Sequence, residues 1–131
     1  MGVQTTVYKV VAKRDGTYSS ASVADPKWVI GYKLGKTATA NRGYIFAFDT
    51  HRNAQAWCDM CYAYAPQWRK HSILESEAIV VDREPMAMAE FLIDEDLTEF
   101  WDGKQLSLAP IPRGTVWCSE LTPRRLYWEE E

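Results

Sequence analysis

The sequence predicts a single α+β domain, mainly an antiparallel sheet with one longer helix and one short helix. Three observations carry that prediction. Short segments rich in β-branched and aromatic residues recur between turn signals. One stretch, after Asp49-Thr50, repeats apolar residues at helical spacing. The order of elements lacks the regular strand–helix alternation of a doubly wound fold. The chain has 131 residues, a length that suits one domain, residues 1–131. A domain of that size buries roughly two-thirds of its unfolded surface, so it needs no disulfide or metal to hold a core.

Val7 to Lys13 reads as a first strand, and Asp15-Gly16 as the turn to a return strand over Thr17 to Val23. Asp25-Pro26 breaks the chain there. Trp28 to Leu34 reads as another strand, with Trp28, Ile30 and Tyr32 on one face, and Gly35 to Gly43 as a loop. Tyr44 to Phe48 is a short buried strand that ends at Asp49-Thr50, either of which suits a helix N-cap. Beyond it Ala54, Trp57, Cys58, Cys61, Tyr62 and Ala65 fall on one helical face, and Pro66 ends the helix. Ser72 to Asp82 is a further strand centred on Ile79-Val80-Val81. Met86 to Ile93 fits strand and helix alike. Asp94 caps a short acidic helix through Leu97, Phe100 and Trp101, stopped by Gly103. A Pro-rich loop, Ala109 to Gly114, leads to a strand over Thr115 to Glu120. Thr122-Pro123 then turns the chain into a last apolar segment, Leu126 to Trp128.

Composition excludes several functional classes. Apolar residues make up 47% and charged residues 25%, which is neither a disordered chain nor a membrane protein. Met1 to Lys9 carry no basic start followed by an apolar run, the pattern of a secretory signal, which predicts a cytoplasmic protein. The net charge of −3 is segregated. Met1 to Phe48 hold seven basic residues against two acidic, Leu74 to Asp102 ten acidic against one basic, and Gly103 to Arg125 four basic against one acidic. An acidic protein is a poor general DNA ligand, yet local convergence of basic side chains suits a small anion.

Three cysteines, Cys58, Cys61 and Cys118, form an odd set, which predicts reduced thiols. The Cys58-x-x-Cys61 pair falls inside the helical pattern, not at its N-terminus where a redox pair gains thiolate character. No second pair follows to complete a zinc site, and His51 and His71 are isolated, so the cysteines read as core.

The motifs give no support for catalysis. The chain contains no G-x-S-x-G, P-loop, G-x-G-x-x-G, H-E-x-x-H or deaminase signature. Glu75-x-Glu77 places two carboxylates on one face of a strand, a pattern far commoner on a solvent face than in an acid–base pair. The remaining vocabulary is one of recognition. Arg113-Gly114-Thr115 offers a guanidinium fork, a glycine open to close approach and a hydroxyl, which suit a phosphate. Arg124 and Arg125 follow, and Phe100 and Trp101 lie upstream. Base-on-aromatic stacking contributes roughly 1–3 kcal/mol per base. The plainer alternative is that Trp101 and Trp117 are core and the arginines solvated. Of the six tryptophans, Trp57 falls on the buried helix face, Trp28 and Trp117 fit strand cores, and Trp68 and Trp128 sit at element ends. Trp101 remains the stacking candidate.

Five stretches, in order along the chain, carry a resemblance. They are Tyr8-Lys9-Val10-Val11, Tyr32-Lys33-Leu34-Gly35, Tyr44-Ile45-Phe46-Ala47-Phe48-Asp49-Thr50, Phe100-Trp101-Asp102-Gly103 and Pro112-Arg113-Gly114-Thr115-Val116-Trp117-Cys118. Together they resemble the Thoeris anti-defence sponge proteins of phages and prophages. The resemblance implies a cytoplasmic protein of an infected bacterium, with no cofactor or metal. It would sequester a cyclic ADP-ribose isomer of the gcADPR type without cleaving it. It further implies a homo-oligomer built from dimers and, in some members, sites for other cyclic oligonucleotides. Carried over by position, Arg113 and Thr115 meet the phosphates and Phe100 or Trp101 the adenine. Gly114 lies between, and Arg124 and Arg125 are secondary. Two other classes compete with a sponge. One is a nucleotide- or ADP-ribose-handling enzyme using Glu75 and Glu77 with an arginine. The other is an interaction module that blocks a host protein.

Overall fold

The computed structural model describes residues 3–14, 16–20, 30–40, 44–62, 70–81, 87–89, 108–110 and 113–129. Its framework is a pair of long antiparallel strands, β1 (Val3–Arg14) and β5 (Lys70–Val80), in register from Val3 opposite Val80 to Lys13 opposite Lys70. Between them in the chain come β2 (Thr17–Ser20), β3 (Gly31–Tyr32), β4 (Ile45–Phe48) and the helix α1 (His51–Tyr62). After β5 follow β6 (Ala87–Ala89), β7 (Leu108–Pro110) and the longest strand, β8 (Thr115–Glu129). The predicted α+β class with a mainly antiparallel sheet is what the described residues form. The short helix expected over Asp94 to Trp101 lies outside them.

The sheet closes on itself. β5 takes β1 on one edge and β8 on the other, β8 takes β4, and β4 returns to β1 at Tyr8 opposite Phe48. Beyond that ring, the end of β1 turns through Gly16, at φ 79°, into β2, and β2 pairs β3. The segment after β3 was expected to be plain loop. Instead it reaches β8, where the Ala38 and Leu121 amides exchange hydrogen bonds of 2.7 and 3.0 Å and the Gly35 amide donates to the Pro123 carbonyl at 2.7 Å.

Closure gives each long strand two buried faces. Val7, Val11, Ile45, Ala47, Leu74, Ala78, Cys118 and Leu121 pack inside the roll with Tyr32. Val10, Phe48 and Ile73 face outward and are covered by α1 through Ala54 and Cys58, with Tyr8, Trp57 and Trp128 around them. The helix begins where the sequence signals it. Thr50 is the N-cap, its Oγ1 accepting from the Asn53 amide at 3.2 Å. Ala54, Trp57 and Cys58 occupy the predicted face, and Trp57 meets Phe48 and His71. Cys58 and Cys118 are buried and outside any disulfide, as the core reading expects. Cys61, Trp28, Trp68 and Trp101 fall outside the described side chains.

Two expectations about the end of the chain are corrected. Ala109 and Pro110, which open the expected Pro-rich loop, belong to β7, with Ala109 opposite Met88. Thr122-Pro123 does not end a strand: β8 runs through it to Glu129. A proline lacks the donor a ladder needs, but Pro123 sits beside a register shift opposite Ser76, and its buried ring fills the roll.

Those shifts matter for the site. The β5–β8 register slips between Ile73 and Leu74, Glu75 and Ser76, and Ile79 and Val80. At each slip β8 carries one extra residue: Tyr127, Arg124 and Ser119. A bulge bends a strand and re-aims its side chains.

Candidate functional site

The predicted ligand residues that can be placed lie on the outer face, around the first turn of α1. Pairing carries a single transverse row across it: Thr115 opposite Phe48, Phe48 opposite Tyr8, Tyr8 opposite Glu75, and Glu75 opposite Arg125. At about 4.8 Å per strand, its ends are about 19 Å apart along the sheet. Arg113, Gly114 and Thr115 therefore stand at one end and Arg124 and Arg125 at the other. Phe100 and Trp101 lie outside the described residues.

At the first end, Arg113 is exposed and Gly114 adopts φ 81°. The close approach expected of Gly114 is to the chain itself. A Cβ there would collide with the Asn53 amide nitrogen and the Asp49 carboxylate. Those two side chains share a 2.9 Å hydrogen bond, and the Asp49 amide donates to the Gly114 carbonyl at 2.9 Å. The glycine thus seats the Arg113-Gly114 turn against the helix N-terminus, with the Arg113 guanidinium exposed beside it.

At the second end, the bulge at Arg124 puts two consecutive arginines outside. Arg124 Nη2 donates to Glu77 Oε2 at 2.9 Å. Arg125 engages Glu75 with two donors, Nε to Oε2 at 2.5 Å and Nη2 to Oε1 at 3.2 Å. Glu75 and Glu77 do share one face of β5, as their spacing predicts, and each neutralises an arginine. The Arg125 guanidinium holds the Glu75 carboxyl below the usual carboxylate range against the opposing effect of burial. Burial first, and the neighbouring Glu75 charge next, push the Tyr8 phenol up.

Beside this pair stand three rings that motif reading passed over. Tyr8 and Tyr127 meet edge to face at 5.4 Å, His51 and Tyr127 lie 5.2 Å apart, and Tyr8 and His51 5.9 Å. Tyr127 is 38% exposed, and the Arg125 guanidinium carbon lies 5.8 Å from its ring centre. In an unbroken strand, alternation would put Arg125 and Tyr127 outside and bury Arg124 and Leu126. Bulges expose the whole stretch, and nothing in local sequence marks them. His51 gave a weaker signal, as the first residue after the N-cap.

Lys9 belongs to the opposite face. It points into the roll, where Nζ donates to the Phe46 carbonyl at 2.6 Å and lies 5.7 Å from the centre of the Tyr32 ring. Burial lowers its pKa to about 8. Among the described residues no three His, Cys, Asp or Glu side chains converge on a metal-sized site, and no helix is long and apolar enough to cross a membrane.

No family model matches the chain, and neither curated proteins nor solved structures include a match.

Proposed function

We propose that the protein is a non-catalytic binder that sequesters a small cyclic nucleotide. A gcADPR-type cyclic ADP-ribose isomer is the ligand class implied by its resemblance to the phage anti-defence sponges. The observation that supports this reading is the outer-face cluster, in which the exposed Tyr127 and His51 rings, backed by the half-buried Tyr8, adjoin paired guanidinium groups. A nucleotide needs those two contacts side by side: a π-face for the base and a fork for the phosphates. Sequestration requires no nucleophile, metal or general base. It requires affinity, and nanomolar binding corresponds to about −12 kcal/mol, which a few such contacts reach only in a preorganised site. Assembly into dimers, and work in the cytoplasm of an infected bacterium, belong to the same proposal.

A second reading is a nucleotide-handling enzyme. It draws on Glu75, which accepts from the Tyr8 hydroxyl at 3.4 Å, with the His51 ring against Tyr8. One experiment separates the readings. The purified protein is incubated with gcADPR-type and cyclic oligonucleotide ligands, washed and heat-denatured, and the released material is analysed. Intact ligand is the expected result. A converted product would establish the enzyme, and no retention of any nucleotide would leave a protein-interaction module.

A further inference from the structure

The geometry points to Arg125 as a phosphate fork whose orientation is set by Glu75, with Tyr127 and His51 as the adjoining surface for the base. This inference rests on the nucleotide-binding reading and names the subsite within it. A guanidinium has two edges able to make paired hydrogen bonds, one formed by Nε and Nη2 and the other by the two terminal nitrogens. Glu75 takes the first edge with both of its oxygens. The second edge stays available on a side chain that is 62% exposed. Glu75 is itself held: its side chain is 25% exposed, and Tyr8 donates to the same oxygen that accepts from Nη2. The ring of Tyr127 lies beside the guanidinium. A carboxylate on one edge and a ring beside it fix the fork before any ligand arrives, which lowers the ordering cost of binding.

Arg124 serves as an internal contrast. It makes a single contact to Glu77, and Glu77 also accepts from the Gln4 amide at 3.0 Å. Among the described residues nothing comparable aims its free edge. Across the β8 bulges on either side of Arg125, ring and fork stay exposed together, with Arg124 beside them. The ligand that suits them carries an aromatic base and a phosphate or pyrophosphate within one residue's reach of each other. Glu75 is then a positioning residue, not a competitor for the fork.

The test uses ADP-ribose and inorganic pyrophosphate as probes, with calorimetric titration of the full chain. Wild type is expected to bind both. Glu75→Gln should weaken both about tenfold, as expected for losing one charge-assisted contact that orients the fork, with an unchanged melting temperature. Tyr127→Ala should weaken ADP-ribose alone, by about fivefold or more, and leave pyrophosphate unaffected. If Glu75→Gln binds pyrophosphate as tightly as wild type or tighter, the positioning role is overturned. Failure of wild type to bind either probe overturns the subsite altogether. Binding of pyrophosphate with the expected Glu75 effect, but no retention of a cyclic nucleotide, would sink the sponge reading and leave the fork standing. A second readout needs no variant: the carbon-13 shift of the Glu75 carboxyl followed against pH with and without saturating pyrophosphate. Among neighbours Tyr8, Tyr127, His51, Arg124 and Glu77, a titration that begins below the usual carboxylate range and moves up when pyrophosphate brings its negative charge beside it supports the fork. A titration that does not respond to saturating pyrophosphate would place the anion elsewhere and overturn it.

Discussion

The two faces of β1 and β5 handle charge in opposite ways. Inside the roll, Lys9 stands among Val7, Val11, Leu74 and Tyr32, held by a carbonyl and a ring. Outside, Glu75 and Glu77 each meet an arginine across the bulged strand. The inner face supplies stability by apolar burial and tolerates one penalised charge. The outer face carries paired, water-exposed charges that contribute little to stability, so its side chains are free to serve recognition. Solvent-exposed pairs are typically worth about 0–1 kcal/mol. Substitutions in the inner cluster, or under α1 on the outer face, should change stability, whereas those at the exposed outer charge pairs should change binding.

The largest effect should come from Leu74→Ala. Leu74 is fully buried at the centre of the inner cluster, and removing such a side chain costs about 2–5 kcal/mol. Denaturant unfolding measures it. A loss below about 1 kcal/mol would mean that the roll is not the stabilising core. Next comes Gly114→Ala, which tests the seam between the faces. Its φ of 81° and the collision with Asn53 and Asp49 predict a loss of about 1–3 kcal/mol. Adding Asn53→Ala should recover part of that loss, whereas full additivity of the two changes would remove the steric explanation.

The half-buried Lys9 charge predicts a pH dependence. Folding lowers the Lys9 pKa from 10.5 to about 8, so between those values the unfolded chain holds more protons and stability rises with pH. Cys118 works in the other direction. Burial raises its thiol from 9.0 to about 11, so above pH 9 the folded chain holds the extra proton and stability falls. The Tyr8 phenol, raised above 10.0, adds to that fall. Wild-type stability should therefore climb from about pH 8 to 9 and then level. Cys118→Ala should climb further toward pH 10 before flattening. Thermal melts across that range check both, and a wild-type curve that falls from pH 8 would mean Lys9 is not buried as a cation.

Which of these features the sequence reveals depends on whether local spacing or closure decides them. The helix face of Ala54, Trp57 and Cys58, the N-cap at Thr50 and the shared side of Glu75 and Glu77 are legible because period and capping act over a few residues. The long pairing of β1 with β5 spans 67 positions at Tyr8 and Glu75, and no local signal encodes it. Pro123 misleads for the same reason: it reads as a break until a register shift makes its missing donor harmless. The bulges that bring Arg124, Arg125 and Tyr127 to one surface follow from how β8 must bend to stay paired, so they move the candidate site away from the motif at Arg113. The short helix and its Trp101 fall outside the described residues.

The smallest effects on stability, and the most informative about function, belong to the arginines. Arg113→Ala and Arg125→Ala should each leave the unfolding free energy within about 0.5–1 kcal/mol of wild type, because both side chains are exposed. Their effects on ligand retention should differ from each other. Arg125 shares its surface with the ring trio and is oriented by Glu75, while Arg113 stands about 19 Å along the sheet at the far end of the row. Loss of retention in Arg125→Ala alone would place one nucleotide at the bulge. Loss in Arg113→Ala alone would return the site to the turn beside the helix N-terminus, where the resemblance puts it. Loss in both would leave two arrangements: two separate sites, or one ligand shared by the two ends, within a chain or with a second copy bringing its Arg113 to this one's Arg125. Stoichiometry from calorimetric titration separates those: two ligands per chain for independent sites, one ligand per pair of ends for a shared site.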